Sequence, residues 1–441
     1  MSQKRITLIV SDLHMGDGGA GDDFVDDRHQ FASFLRAQAA GPEGRAGEVE
    51  LIVNGDFLEM VQVLPHAYKG DPSIAWCSEA ESVEKLECIM KGHPLVFDAL
   101  AEFQAAGNQV TLFPGNHDVD LYWPDVRAKL QARIPGVRVE NEIVYTRYDG
   151  RLRISHGHLL KSIDPANGFE HPDQPTVNTN TPPRLEICPG TLFMVKFVNL
   201  MEAKYPFADN LSPVTALIRI LAREDRWGLT TLAWMFARFA VRYPSALLGE
   251  GTSQGLVGVQ LLNAIQGDRY LRQDIAALCK ELLGREVTEA DIRRQLSTED
   301  AIADLIEDFF RADPTLGKWV SIFDNAKPGT LGEAGGGTLS IVESGKTDAR
   351  AACTEIARNY CNAGAQVFVL GHTHLPQELS FGANRYYNPG SWTRYVEDTS
   401  KLTLKMLEDE SAFPYALNCV RIEDDGSARL KSEMLSVEKR P

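Results

Sequence analysis

Residues 366–376 read QVFVLGHTHLP: an apolar run, a glycine, then His372 and His374 on alternate positions. A short, β-branched, apolar segment of this kind predicts a strand buried on both faces. Three more segments have the same form. RITLIV (5–10) runs into SDLH, VELIV (49–53) into NGDF, and QVTLF (109–113) into PGNHD. Helix-like stretches lie between them, notably 79–106 and 124–133. Alternating strands and helices predict an α/β layered fold with its polar site at the strand ends.

Two further segments predict hairpins. Residues 137–155 turn at Asp149-Gly150, and 415–435 turn at Asp425-Gly426. The stretch from 161 to 350 breaks the rhythm. It opens Pro- and Asn-rich, continues as helical sequence in which Thr288 is a candidate N-cap, and ends Gly-rich. The expected organisation is therefore a core from 1–160 and 351–441, with 161–350 a mainly helical insertion.

The chain has 441 residues, 44% hydrophobic and 24% charged, enough for a large domain plus an insertion. A net charge of −16 argues against a stable nucleic-acid partner, since phosphate backbones are held by Lys and Arg. Seven dispersed cysteines without a CxxC pair do not read as a disulfide framework. The apolar run Ile6–Val10 is too short for a signal core, and no run approaches the ~18–20 apolar residues of a membrane span. The expectation is a cytoplasmic protein without a transmembrane segment.

The strand-end loops collect one kind of residue. They hold Asp12 and His14, then Asp56, then Asn116, His117 and Asp118, then His156, then His372 and His374. Each block alone has a bland reading: GD is a common turn, and GNHD tolerates left-handed backbone. All of them together, each after an apolar strand, predict a metal centre. Carboxylate, imidazole and amide oxygen without thiolate suit Mn²⁺, Fe or Zn²⁺. Asp56, in the middle loop, is the expected bridge between two divalent ions. Such a pair clamps an in-line displacement at phosphorus.

These blocks, in the order DxH, GD, GNHD, HGH and GHTH, resemble the calcineurin-like metallophosphoesterases over roughly 1–160 and 360–435. The resemblance implies a four-layer αββα sandwich with a large, mainly helical insertion. It implies one ion held by Asp12, His14, Asp56 and His374, and the other by Asp56, Asn116, His156 and His372, with Mn²⁺ favoured. His156 is taken over His158 because the first histidine of this block is the ligand in the family. The implied reaction is attack at phosphorus by a hydroxide that bridges the ions. His117 would protonate the leaving oxygen or bind the phosphoryl group. Asp118 would orient His117, with a plain turn role as the alternative. YYNPGSW (386–392) resembles the family's NPGS turn.

SDLHMG, NGDFLEM and GHTHLP resemble the bacterial UDP-diacylglucosamine hydrolases in particular. This chain has His117 where those enzymes usually carry Arg, and a far larger insertion, so that substrate is not assigned. The GDYVDRG and GNHE blocks of phosphoprotein phosphatases are absent from the sequence. The expected function is a phosphodiesterase acting on a small phosphoester. A phosphomonoesterase or phosphoprotein phosphatase is the alternative, and a non-catalytic scaffold a remote one. The insertion is read as a cap. It supplies aromatics (Phe193, Phe197, Trp227, Trp234, Phe236, Phe239) and arginines (Arg219, Arg223, Arg226, Arg238, Arg242), with core packing the plainer role for each. Peripheral lipid contact and self-association through the insertion stay open as partners. His29, His66, His93 and His171 read as ordinary residues, and the aspartates of 17–27 as a solvated loop.

Overall fold

The computed structural model describes residues 4–160 except 20 and 70–74, and residues 345–440 except 395–401 and 410–412. Between these it describes 163, 174–177, 182–188, 191–192, 194–202, 205–207, 216–224, 265–266, 269–298, 301, 304–305 and 308. Phe193, Trp227, Trp234, Phe236, Phe239, Arg226, Arg238, Arg242 and His171 lie outside the described residues, as do the side chains of Phe197 and Arg219.

The chain is a mixed α/β fold. Strands β1 (Ile6–Val10), β2 (Val49–Asn54), β3 (Gln109–Phe113) and β4 (Arg138–Val139) run parallel and in that order. A hairpin, β5 (Tyr145–Arg147) and β6 (Leu152–Ser155), follows, its turn held by left-handed Asp149 and Gly150. Next come the ribbon β7 (Thr176–Val177) and β8 (Arg184–Leu185), then β9 (Val367–Leu370). The chain ends with two antiparallel pairs, β10 (Gln377–Phe381) with β11 (Asn384–Asn388), and β12 (Tyr415–Glu423) with β13 (Lys431–Arg440). These build a six-stranded sheet, β13-β12-β1-β2-β3-β4, and a five-stranded sheet, β10-β11-β9-β6-β5.

Alternate residues on a strand face opposite sides of its sheet, and the core follows that rule. Leu8 and Val10 of β1, Leu51 and Val53 of β2, and Val110 and Leu112 of β3 pack with the helices Gln30–Ala40, Glu79–Gly92, Pro94–Ala105 and Pro124–Arg133. Their neighbours Ile9, Ile52 and Phe113 pack instead with Leu152, Ile154, Val367 and Val369 of the other sheet. On β9 the same alternation sends Phe368 and Leu370 to Cys353, Ala357 and Cys361 of the helix Gly345–Asn362. Doubly covered strands favour apolar residues on both faces, and the polar exceptions here are buried and bonded: Thr111 donates to Glu50 (2.7 Å), and Thr7 meets the Tyr148 hydroxyl (2.6 Å).

The segment 79–106 is two helices, not one. Pro94 lacks an N–H and restricts the residue before it, so the first helix stops at Gly92 and His93 lies between the two. Thr288 caps the helix Glu289–Gln295 through a capping box with Asp291. Among the described residues no helix is long and apolar enough to cross a membrane.

Candidate metal centre

The parallel strands deliver their loops to one end, where backbone hydrogen bonds lace the loops together. Asp12 N donates to Gly55 O (3.2 Å), His14 N to Asp56 O (2.9 Å) and Met15 N to Phe57 O (3.2 Å). Glu59 N donates back to Met15 O (2.9 Å), and Met60 N to His117 O (3.1 Å). Gly371 N donates to His156 O (3.0 Å), and Trp392 N, from the NPGSW turn, to Asp12 O (2.9 Å).

The loops hold their polar residues in unusual backbone. Asp12, His14, Asp56, His372 and His374 all have positive φ, between 46° and 67°. Left-handed backbone disfavours residues with a Cβ and persists where surrounding structure enforces it, commonly at functional sites. Glycines allow the close packing. A Cβ on Gly115 would lie 2.0 Å from Asp56 Oδ1, and one on Gly371 would lie 2.0 Å from Ser11 Oγ.

Six of the seven residues expected as ligands form two groups of possible donors. In the first, His14 Nε2 lies 3.0 Å from His374 Nε2, which lies 3.4 Å from Asp12 Oδ1. In the second, His156 Nε2 lies 3.1 Å from Asp56 Oδ2, and His372 completes the set. The same Asp56 oxygen stands 3.6 Å from His14 Nε2, so this carboxylate touches both groups. The seventh residue, Asn116, is buried and its Oδ1 has no hydrogen-bond partner among the described residues. An unsatisfied buried oxygen costs stability unless something outside the protein meets it. Hard oxygen and borderline nitrogen donors held this closely fit divalent cations. His158 stands beside the second group, its ring centroid 5.2 Å from that of His156.

One residue of this site escaped the sequence reading. Glu59 is 2% exposed, and its Oε2 lies 2.7 Å from both His14 Nδ1 and His117 Nδ1. Its other oxygen accepts from Val61 N and Gln62 N, each at 3.1 Å. Glu59, not Asp118, is thus the carboxylate against the His117 ring. Asp118 accepts backbone N–H groups instead, from Gly115 (2.6 Å), Phe57 (2.8 Å) and Leu58 (3.3 Å). It braces the β3 loop against the β2 loop.

The electrostatics follow from burial opposed by close opposite charge. Burial favours protonated Asp56, but His156, His117 and His14 hold it well below the usual carboxylate range. Burial also opposes charge on His117, yet Glu59 and Asp56 carry its pKa up to about 10. His156 rises to about 9 against its own burial, through Asp56 and Asp12. Asp118 is pushed up to about 7 by burial and the charge of Asp56.

The aspartate-rich loop is less solvated than its composition suggests. His93 Nε2 lies 2.8 Å from Asp22 Oδ2, and its Nδ1 lies 3.6 Å from Asp26 Oδ2. Asp22 also accepts backbone N–H groups from Gly16, Gly18 and Phe24.

No family model matches the chain, and no curated protein matches it. Among solved structures, the crystal structure of a phosphopantetheinyl hydrolase from Mycobacterium tuberculosis is similar over 90% of this chain and 98% of its own, at 13% identity and a TM-score of 0.26.

Proposed function

We propose that the chain is a metal-dependent phosphoester hydrolase that prefers diesters. We further propose that its two sheets and their flanking helices form a four-layer αββα core, and that residues 161–350 are an insertion into it. The reading rests on one observation. Asp56 joins two groups of carboxylate and imidazole donors, and His117 stands at the same place with Glu59 on its ring.

Asp12, His14, Asp56 and His374 would hold one ion, and Asp56, Asn116, His156 and His372 the other. Bound divalent ions, with Mn²⁺ the first choice, supply Lewis acidity at the phosphoryl oxygens and a lowered pKa for water. The protein's own groups do the rest. Ser11 and the backbone N–H of His372 hold the Asp12 carboxylate, the latter at 3.0 Å from both oxygens. Glu59 fixes the orientation and tautomer of His117 and leaves its Nε2 for the leaving oxygen. His117 is therefore the proposed proton donor. The preference for a diester is part of this proposal, and the comparison of monoester with diester turnover decides it.

The test is hydrolysis of nitrophenyl phosphate against bis-nitrophenyl phosphate by protein purified with Mn²⁺. Metal content is measured in parallel, and Asp56→Asn serves as control. Two ions per chain and faster diester turnover, both lost in Asp56→Asn, are expected. Faster monoester turnover would overturn the diester preference. Protein that takes up no metal would overturn the whole reading.

A further inference from the structure

A cavity of about 120 Å³ opens beside the second donor group, lined among others by Gly115, His156 and His158. That is many times the ~15 Å³ that seats one water. It lies between the β3 loop and the segment 140–143, and its lining includes the apolar side chains of Phe113, Val119, Tyr122 and Leu159. Glu140 and Glu142 also line it, Glu140 partly buried and Glu142 exposed. No lysine or arginine lines the cavity among the described residues. The arginines on flanking elements make their bonds elsewhere, although the charge of Arg127 still acts on Glu140. Arg127 donates to Leu121 O and to Asn141 Oδ1 (2.9 Å), and Arg147 pairs with Glu50 at 2.6 Å.

A substrate whose phosphorus sits at the donor groups must place one of its two alcohols on this side or away from it. An alcohol entering here meets apolar side chains and the carboxylates of Glu140 and Glu142, with no lining cation among the described residues. That combination suits a small cation. Ring faces attract ammonium groups, and carboxylates in a partly desolvated wall do so more strongly than in water. The same wall repels a further phosphate or carboxylate on the substrate.

We infer that this cavity is the subsite for the alcohol of a phosphodiester, and that it selects an alcohol bearing an ammonium group. The inference rests on the proposed hydrolysis at the adjoining centre. It assigns Glu140 and Glu142 to substrate choice, separate from the residues that would hold metal or move protons.

The test compares two nitrophenyl diesters, one of choline and one of 3,3-dimethylbutanol. The second replaces the trimethylammonium group by an uncharged tert-butyl group of the same shape, so the pair differs in one charge. With Mn²⁺-loaded protein, kcat/KM is expected to favour the choline ester by about tenfold. In Glu140→Gln/Glu142→Gln that ratio is expected to fall toward one. Ile143→Lys, at a rim position that is 48% exposed, places a cation at the mouth and is expected to invert the ratio. Hydrolysis of both esters with equal kcat/KM, or a ratio that the glutamate variant leaves intact, would overturn this assignment and leave the hydrolase reading standing. Hydrolysis of neither ester by metal-loaded protein would overturn both.

Discussion

Glu59 carries the most consequence of any single residue outside the expected ligand set. One carboxylate oxygen meets rings from two loops, His14 and His117, at 2.7 Å each. If it positions His117 as proton donor, Glu59→Gln should lower kcat by about 10–100-fold on an ester with an alkyl leaving group. The nitrophenyl ester, whose leaving group departs without a proton, should lose much less. Equal losses on both, together with loss of metal, would show that Glu59 acts through His14 instead. The gathering of these residues was legible in the sequence because each proposed ligand lies within four residues of the end of a strand. Parallel strands then bring such loops to one edge without further information. Glu59 was not legible. It lies three residues beyond Asp56 inside the quoted NGDFLEM block, but its role depends on the turn that reverses the chain there. For Asp118 the hydrogen bonds favour the alternative reading, a turn role: adjacency to His117 in sequence says nothing about which side its carboxylate faces.

Between elements, the same loops are anchored by a charge pair inside the core. Lys85, on the helix Glu79–Gly92, lies 2.7 Å from Asp120 in the turn after His117, and both side chains are 0% exposed. Lys85 also donates to Met60 O (2.6 Å), next to Glu59, and Ser82 donates to Asp120 (2.6 Å). One helix thereby ties the β2 loop to the β3 loop. Removing one partner leaves the other buried and unpaired, so Lys85→Met should cost about 3–5 kcal/mol in urea unfolding. Adding Asp120→Leu should recover most of that loss. A single variant that costs less than about 1 kcal/mol, with additive effects in the pair, would show that the two charges are not coupled. At this scale β1, β2, β3 and β9 were the legible part, since burial on both faces shows as a mostly apolar run. The hairpin of β10 and β11 was not foreseen. Its β10 strand is only half-buried and polar enough (QELSF) to pass for a loop. Nor was the break at His93 foreseen, although Pro94 was the available signal.

That break has a consequence for the whole molecule. It sets His93 against the loop after β1, between Asp22 and Asp26 and edge-on to the Phe24 ring. The contact joins the first strand loop to the helical layer in a chain with a net charge of −16. Burial alone would lower the pKa of His93, but hydrogen bonds and charge from Asp22 and Asp26 raise it to about 9. The unfolded value is about 6.5, so the folded state binds the proton more tightly. The stabilisation is then fully present below about pH 6.5, is still mostly present at pH 7, and is lost as pH rises through about 9. Its size is on the order of 2–3 kcal/mol for a shift of this extent. His93→Gln should therefore lower unfolding stability at pH 6.5 and cost little at pH 10. The measurement is the difference between wild type and variant across that range, in which all other titrating groups cancel. A difference that does not change with pH would mean that His93 stabilises the fold by packing against Phe24 and not by its charge.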